Sequence, residues 1–221
     1  MTRTTRTTAA STRIGISRTH VVWVALLASM TAVGGVLLLS EKRVGNLRAT
    51  LPAAVATTPA RSLDAIFSTR APVETSRWSG IVIHHSGSIS GSPDSIARDH
   101  QDQGLVGLGY HFVISNGRGA PDGEIHVGFR WLDQKPGAHV VGPNADALNR
   151  TTIGICLVGD GERRAFTPKQ IARLTELVAS LQKELGLSDD EVVLHREVAA
   201  SASPGRLFPE AAIRARLREL R

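Results

Sequence analysis

Hydropathy along the chain changes character twice. From Val21 to Leu39 the sequence reads VVWVALLASMTAVGGVLLL, with no charge and no polar face. That is close to the roughly 20 apolar residues a helix needs to cross about 30 Å of hydrocarbon, so residues 21–39 are expected to form a transmembrane helix. Arg3, Arg6, Arg13 and Arg18 precede it without an acidic residue among them, while Glu41, Lys42 and Arg43 follow. This asymmetry predicts a basic cytoplasmic tail over 1–20 and the remainder of the chain on the extracytoplasmic side. The run is long for a cleaved leader and no small-x-small site follows it closely, which favours an uncleaved signal-anchor.

Residues 40–75 carry an Ala-, Thr- and Pro-rich stretch, ATLPAAVATTPARS, with no periodic apolar face. They read as a linker with a short helical turn near LDAIF. From residue 76 the pattern becomes that of a folded domain, 76–221. Strand-like runs occur at GIVIHH, GYHFVIS, EIHVGFRW, TTIGICLVG and VVLH. Three helical stretches lie between or after them. SPDSIARDHQDQG has Ser92 as a cap, Pro93 in the first turn and Gly104 as a stop. The next pairs Thr167 with Gln170 as a capping box. Ile171, Leu174, Leu177, Val178, Leu181 and Leu185 then mark one face before Gly186. The last is PEAAIRAR. SNGRGAPDGE separates two strand runs and opens no helix, so it reads as a long hairpin turn and not as a phosphate loop. Interleaved strands and helices predict an α/β domain: a central mixed β-sheet flanked by helices.

Charge alters the picture only once it is divided. The chain carries a net charge of +6, but residues 1–75 hold 9 Lys/Arg against 3 Asp/Glu and residues 76–221 hold 17 of each. The excess sits in the tail, where it suits a membrane surface. The neutral domain has no basic stripe for nucleic acid. Cys156, the single cysteine, lies in an apolar strand run and can form no internal disulfide. It reads as a packed core thiol.

The chemistry concentrates on histidine. A strand ending on His84-His85, with His195 at the end of another far along the chain, offers two imidazoles of the kind that suit zinc. On those residues alone the metal reading is the weaker one, since a histidine in an apolar strand is more often hydrogen-bonded in the core than bound to metal.

Five segments add to this in order: IVIHHSG, GLGYHFVIS, GAHVVG, TTIGICLVGDG and LHREVAASASPG. Together they resemble the N-acetylmuramoyl-L-alanine amidase family, which includes the peptidoglycan recognition proteins and an amidase-type phage lysozyme. The resemblance runs from about Trp78 to the last helix. It implies His84 and His195 as zinc ligands. It also implies Tyr110 as the residue that polarises the scissile carbonyl or positions water, and Ser201 in the place of an assisting lysine or threonine. The third ligand, cysteine or aspartate in the family, falls on Ser203. A hydroxyl is not ionised near neutral pH and replaces a thiolate or carboxylate poorly. His139 falls near the site in the family and His85 and His111 adjoin matched positions; all three are candidates for substrate binding, and any one of them is also a candidate to complete a three-histidine set. Arg130-Trp131 stands near a pair that reads the stem peptide in recognition proteins; Trp131 reads equally as a tryptophan covering the core. His20, His100 and His126 match no motif and are expected to be ordinary surface or interfacial residues.

The resemblance therefore implies a domain directed at peptidoglycan or muropeptides, with Zn2+ as cofactor and the bond between N-acetylmuramic acid and L-alanine as target. The alternative is a non-catalytic recognition module, because serine at the third position accompanies loss of the reaction among recognition proteins.

Overall fold

The structure is a computed structural model that describes residues 58–59 and 62–220. The expected tail, transmembrane helix and most of the linker lie outside the described residues. Among the described residues no helix is long and apolar enough to cross a membrane.

Six strands form one mixed sheet: β1 (Thr58–Pro59), β2 (Gly80–His85), β3 (Phe112–Ile114), β4 (Ile125–Val127), β5 (Thr152–Leu157) and β6 (Val192–Leu194), in the spatial order β1-β4-β3-β5-β2-β6. The central strands β3, β5, β2 and β6 run parallel, and β4 pairs antiparallel with β3 and β1. The parallel strands are near-continuous apolar runs because helices cover both faces of the sheet. The expected mixed sheet flanked by helices is what the chain forms.

Alternation along the strands sorts the side chains between faces. Ile81, Ile83, Phe112, Ile114, Ile153, Ile155 and Leu157 enter the larger core. There they meet α4 (Pro168–Leu185) and α6 (Glu210–Glu219). The α4 helix starts as its capping box dictates: Gln170 N–H donates to Thr167 Oγ1 at 3.0 Å and Thr167 N–H to Gln170 Oε1 at 3.2 Å. It ends where Gly186 takes a left-handed conformation, φ 70°. Leu174, Leu177, Val178 and Leu181 on its inner face are fully buried, each contributing about 1.5–3 kcal/mol. Gln170 Nε2 donates to the Ile114 and Val158 carbonyls, tying α4 to both β3 and the end of β5.

The opposite face carries a smaller apolar cluster, Val113, Cys156 and Val158 against Ile96 and Ala97 of α1 (Pro93–Asp102). Cys156 is a buried free thiol, the packed core residue expected. This face holds the histidines.

Three details differ from the sequence reading. The run EIHVGFRW is not one strand: β4 stops at Val127, and Phe129–Leu132 form a short helix, α2. The break falls at Gly128, whose backbone passes so close to β3 that a Cβ would lie 2.7 Å from the Tyr110 carbonyl oxygen. A second short helix, α3 (Ala145–Thr151), has no buried residue and so left no periodic apolar signal. Finally, residues 62–75, expected as linker, pack onto the domain. Asp64–Phe67 form the anticipated helical turn, and Ile66 is fully buried in the larger core.

Candidate functional site

Register assembles the site. Ile83 pairs with Leu194 across β2 and β6, so the next residues, His84 and His195, lie side by side where the two parallel strands end. Their ring centroids are 4.3 Å apart. The pairing of β2 with β5 sets Cys156 beside His84 on the other flank. Tyr110 lies over this row, its ring 5.2 Å from that of His84, with its phenol next to the Cys156 thiol. Burial raises the Tyr110 phenol well above its usual range, and the neighbouring thiol adds to the rise.

Behind His84 stands His139. His84 Nε2 and His139 Nδ1 are 3.1 Å apart, and His139 Nε2 is 3.2 Å from the Thr152 carbonyl oxygen. Both rings are buried. Burial holds His84 well below the usual imidazole range, with His139 and His195 pushing the same way, and burial lowers His139 to about 4. Two glycines clear the space for the His139 ring: a Cβ at Gly154 would lie 2.5 Å from it, and one at Gly137 2.3 Å. His111 takes the Gly154 N–H on Nδ1 at 3.0 Å and donates from Nε2 to the Lys135 carbonyl at 3.2 Å. His85 accepts the Gly161 N–H on Nδ1 at 3.0 Å.

The loop after α5 (His195–Val198) brings the serines in. Ser203, 5% exposed, accepts the His85 backbone N–H on Oγ at 2.9 Å. Its own N–H donates to Ser201 Oγ at 3.1 Å, and the Ser203–Pro204 peptide is cis. The structure therefore brings His195, Tyr110 and His139 into ring contact with His84, sets His111 against His139, and holds Ser203, with Ser201 behind it, on the backbone N–H of the adjoining His85.

Two candidates land elsewhere. Trp131 is fully buried and donates from Nε1 to the Ile66 carbonyl at 2.6 Å, so it covers the core and offers nothing to a ligand. Arg130 spends its guanidinium on the Leu108 and Pro136 carbonyls at 2.7 and 2.6 Å, clamping two loops together. One residue expected to be an ordinary surface or interfacial histidine lies against the site. His100, on α1, accepts the Gly109 N–H at 2.9 Å and packs its ring 5.2 Å from Tyr110. The helical spacing Ile96–His100, one turn along the buried face, was the available signal.

The chain matches the family model described as N-acetylmuramoyl-L-alanine amidase over residues 74–206, more than half its length. It belongs to that family. The endolysin of Klebsiella phage KP32 is 32% identical over 110 residues, covering 48% of this chain and 64% of the endolysin. Peptidoglycan-recognition protein LB of Drosophila melanogaster is 32% identical over 143 residues, covering 59% of this chain and 56% of that protein. The chain thus spans somewhat less than two thirds of the length of these curated relatives. Among solved structures, the N-acetylmuramoyl-L-alanine amidase LysC from Clostridium intestinale URNW superposes with a TM-score of 0.51 at 27% identity, covering 67% of this chain and 91% of LysC.

Family membership raises the question of zinc. Among the described residues no three His, Cys, Asp or Glu side chains are gathered to hold a metal ion. The nearest donors are two neutral imidazoles and the Ser203 hydroxyl, which is engaged by the His85 N–H. His139 supplies no third nitrogen, since both of its ring nitrogens are spent. This set lacks the anionic donor of a three-ligand amidase centre and does not fit one.

Beyond the histidines a cleft of about 260 Å³ opens past the end of β5, lined in part by Ile89, Asn116, Arg118, Asp160 and Arg164. A more apolar groove of about 590 Å³, lined by residues including Leu63, Ala179, Leu187 and Leu217, lies against α4 and α6 on the other side of the sheet. Neither is lined by His84, Tyr110, His139, His195 or Ser203; the first reaches the histidines only through Asp160, 3.9 Å from His85 Nδ1.

Proposed function

We propose that this is a membrane-anchored, extracytoplasmic domain that binds peptidoglycan or muropeptides through the amidase-family site without hydrolysing them. One observation carries the reading: the hydroxyl of Ser203, the residue on which the motif order implies the third ligand falls, is held by a backbone N–H. Family membership and the recognition-protein relative support the substrate class. His195 Nε2, a ring nitrogen without a partner among the described residues, leaves one hydrogen-bonding group for a ligand.

A second reading, zinc-dependent cleavage of the amide between N-acetylmuramic acid and L-alanine, is favoured by His195. Its Nε2 is buried and has no hydrogen-bond partner, and an orphaned buried nitrogen is costly unless something occupies it. Titrating the full chain with purified muropeptides, with and without a chelator, separates the two. Recognition predicts saturable binding that the chelator leaves unchanged and no release of stem peptide. Release that stops with chelator and returns with zinc establishes the hydrolase. Absence of binding in both conditions overturns the substrate class.

A further inference from the structure

The hydrogen bonds around His139 fix where protons sit. The Thr152 carbonyl can only accept, so His139 Nε2, 3.2 Å away, is the nitrogen bearing hydrogen. A neutral ring then has a bare Nδ1, and the group facing it at 3.1 Å is His84 Nε2. That nitrogen must donate, which leaves the lone pair of His84 on Nδ1. The hydrogen bonds of the described residues give His84 Nδ1 no partner, and it is not among the buried orphans.

We propose that His139 is a positioning residue: it locks His84 into the Nε2–H tautomer and so commits the Nδ1 lone pair as the acceptor that the site presents. The surroundings are built for this. Gly137 and Gly154 make room for the ring. Asn149 holds the backbone, accepting the His139 and Val140 N–H groups on Oδ1 at 2.9 and 3.0 Å and donating to the Val140 carbonyl at 2.9 Å. The other tautomer of His84 would set two buried lone pairs against each other, so the Nε2–H form is favoured by about ten-fold or more. The assignment goes beyond the proposed function and holds whether the site binds or hydrolyses.

The test needs no ligand. In the full chain labelled with 15N at histidine, the ring nitrogens of His84, assigned by loss of signal in His84→Gln, report the tautomer directly at pH 7.5. The expected spectrum shows Nε2 protonated, Nδ1 bare, and a coupling across the hydrogen bond to His139 Nδ1. His139→Leu shifts both His84 nitrogens toward exchanging values, and His139→Asn, whose side-chain oxygen can occupy the acceptor position, restores them. A parent protein with His84 protonated on Nδ1 overturns the proposal, and so does a His139→Leu variant whose His84 signals do not move. Should His139→Leu fail to fold, the parent spectrum decides alone. Muropeptide binding enters neither readout, so failure here and failure of the proposed function are distinguishable.

Discussion

Gly154→Ala is the sharpest test of how the site is packed. Gly154 lies mid-strand in β5 and its φ is outside the positive region, so its backbone accepts alanine. The obstacle is steric. The new Cβ would stand 2.5 Å from both Cδ2 and Cγ of His139 and 3.0 Å from Nδ1. The ring cannot swing aside freely, because its nitrogens are tied to His84 and Thr152 at 3.1 and 3.2 Å. Overpacking of this kind costs about 1–3 kcal/mol, and each hydrogen bond given up about 0.5–1.5 kcal/mol. The expected loss is about 3 kcal/mol, or a fall in Tm of roughly 6–12 °C for a domain of this size. The double variant makes the cause visible. With the ring removed by His139→Ala, the three contacts that crowd the new Cβ are gone, and the Gly154→Ala change should cost about nothing, or stabilise by up to about 1 kcal/mol through the stiffer unfolded chain. A thermodynamic cycle by denaturant unfolding should therefore give a coupling near 3 kcal/mol. Equal costs in both backgrounds would refute the packing of His139 on Gly154.

The same geometry sets three further outcomes. Burial lowers His84, His111 and, to about 4, His139. Below pH 6.5 the unfolded chain takes up protons that the folded site refuses, so stability falls as pH drops from about 6.5 to 4. For His139 alone that window is worth about 3 kcal/mol, and urea midpoints that stay flat between pH 7.5 and 5 would contradict it. Ser203→Cys should raise zinc affinity by more than the 10–100-fold that outer-shell partners are worth, read by competition with a chromophoric chelator; an unchanged affinity would remove Ser203 from the ligand position. Trp131→Ala should cost about 3–5 kcal/mol while leaving muropeptide affinity of the folded protein unchanged, and a selective loss of binding would return Trp131 to the groove.

Fold class was legible because its signals were strong and local. The Thr167–Gln170 box and the apolar face after it allowed one outcome, and the parallel strands announced themselves by unbroken apolar runs. The break at Gly128 was not legible, since nothing in EIHVGFRW reveals that the chain must pass tightly against β3. Ile66 was missed for a related reason: a short turn has no period to display, and its partner Trp131 is 65 residues away. At the site, His84 and His195 could be named from motif order. That His139 spends both nitrogens behind His84, or that Arg130 clamps loops, depends on contacts between segments remote in sequence. His100 shows the opposite case, a residue whose helical position was informative and went unused.

The rings on this face of the sheet are fastened. His84 is held by His139, His139 by Thr152, His111 by Gly154 and Lys135, His85 by Gly161 and His100 by Gly109. Each surrendered its rotational freedom when the chain folded. If the proposed recognition of peptidoglycan holds, an arriving glycopeptide meets groups already set in shape, and the ordering cost that usually subtracts from affinity falls mainly on the glycopeptide itself. Selectivity at such a site should rest on how rigid the visitor is as much as on which groups it carries.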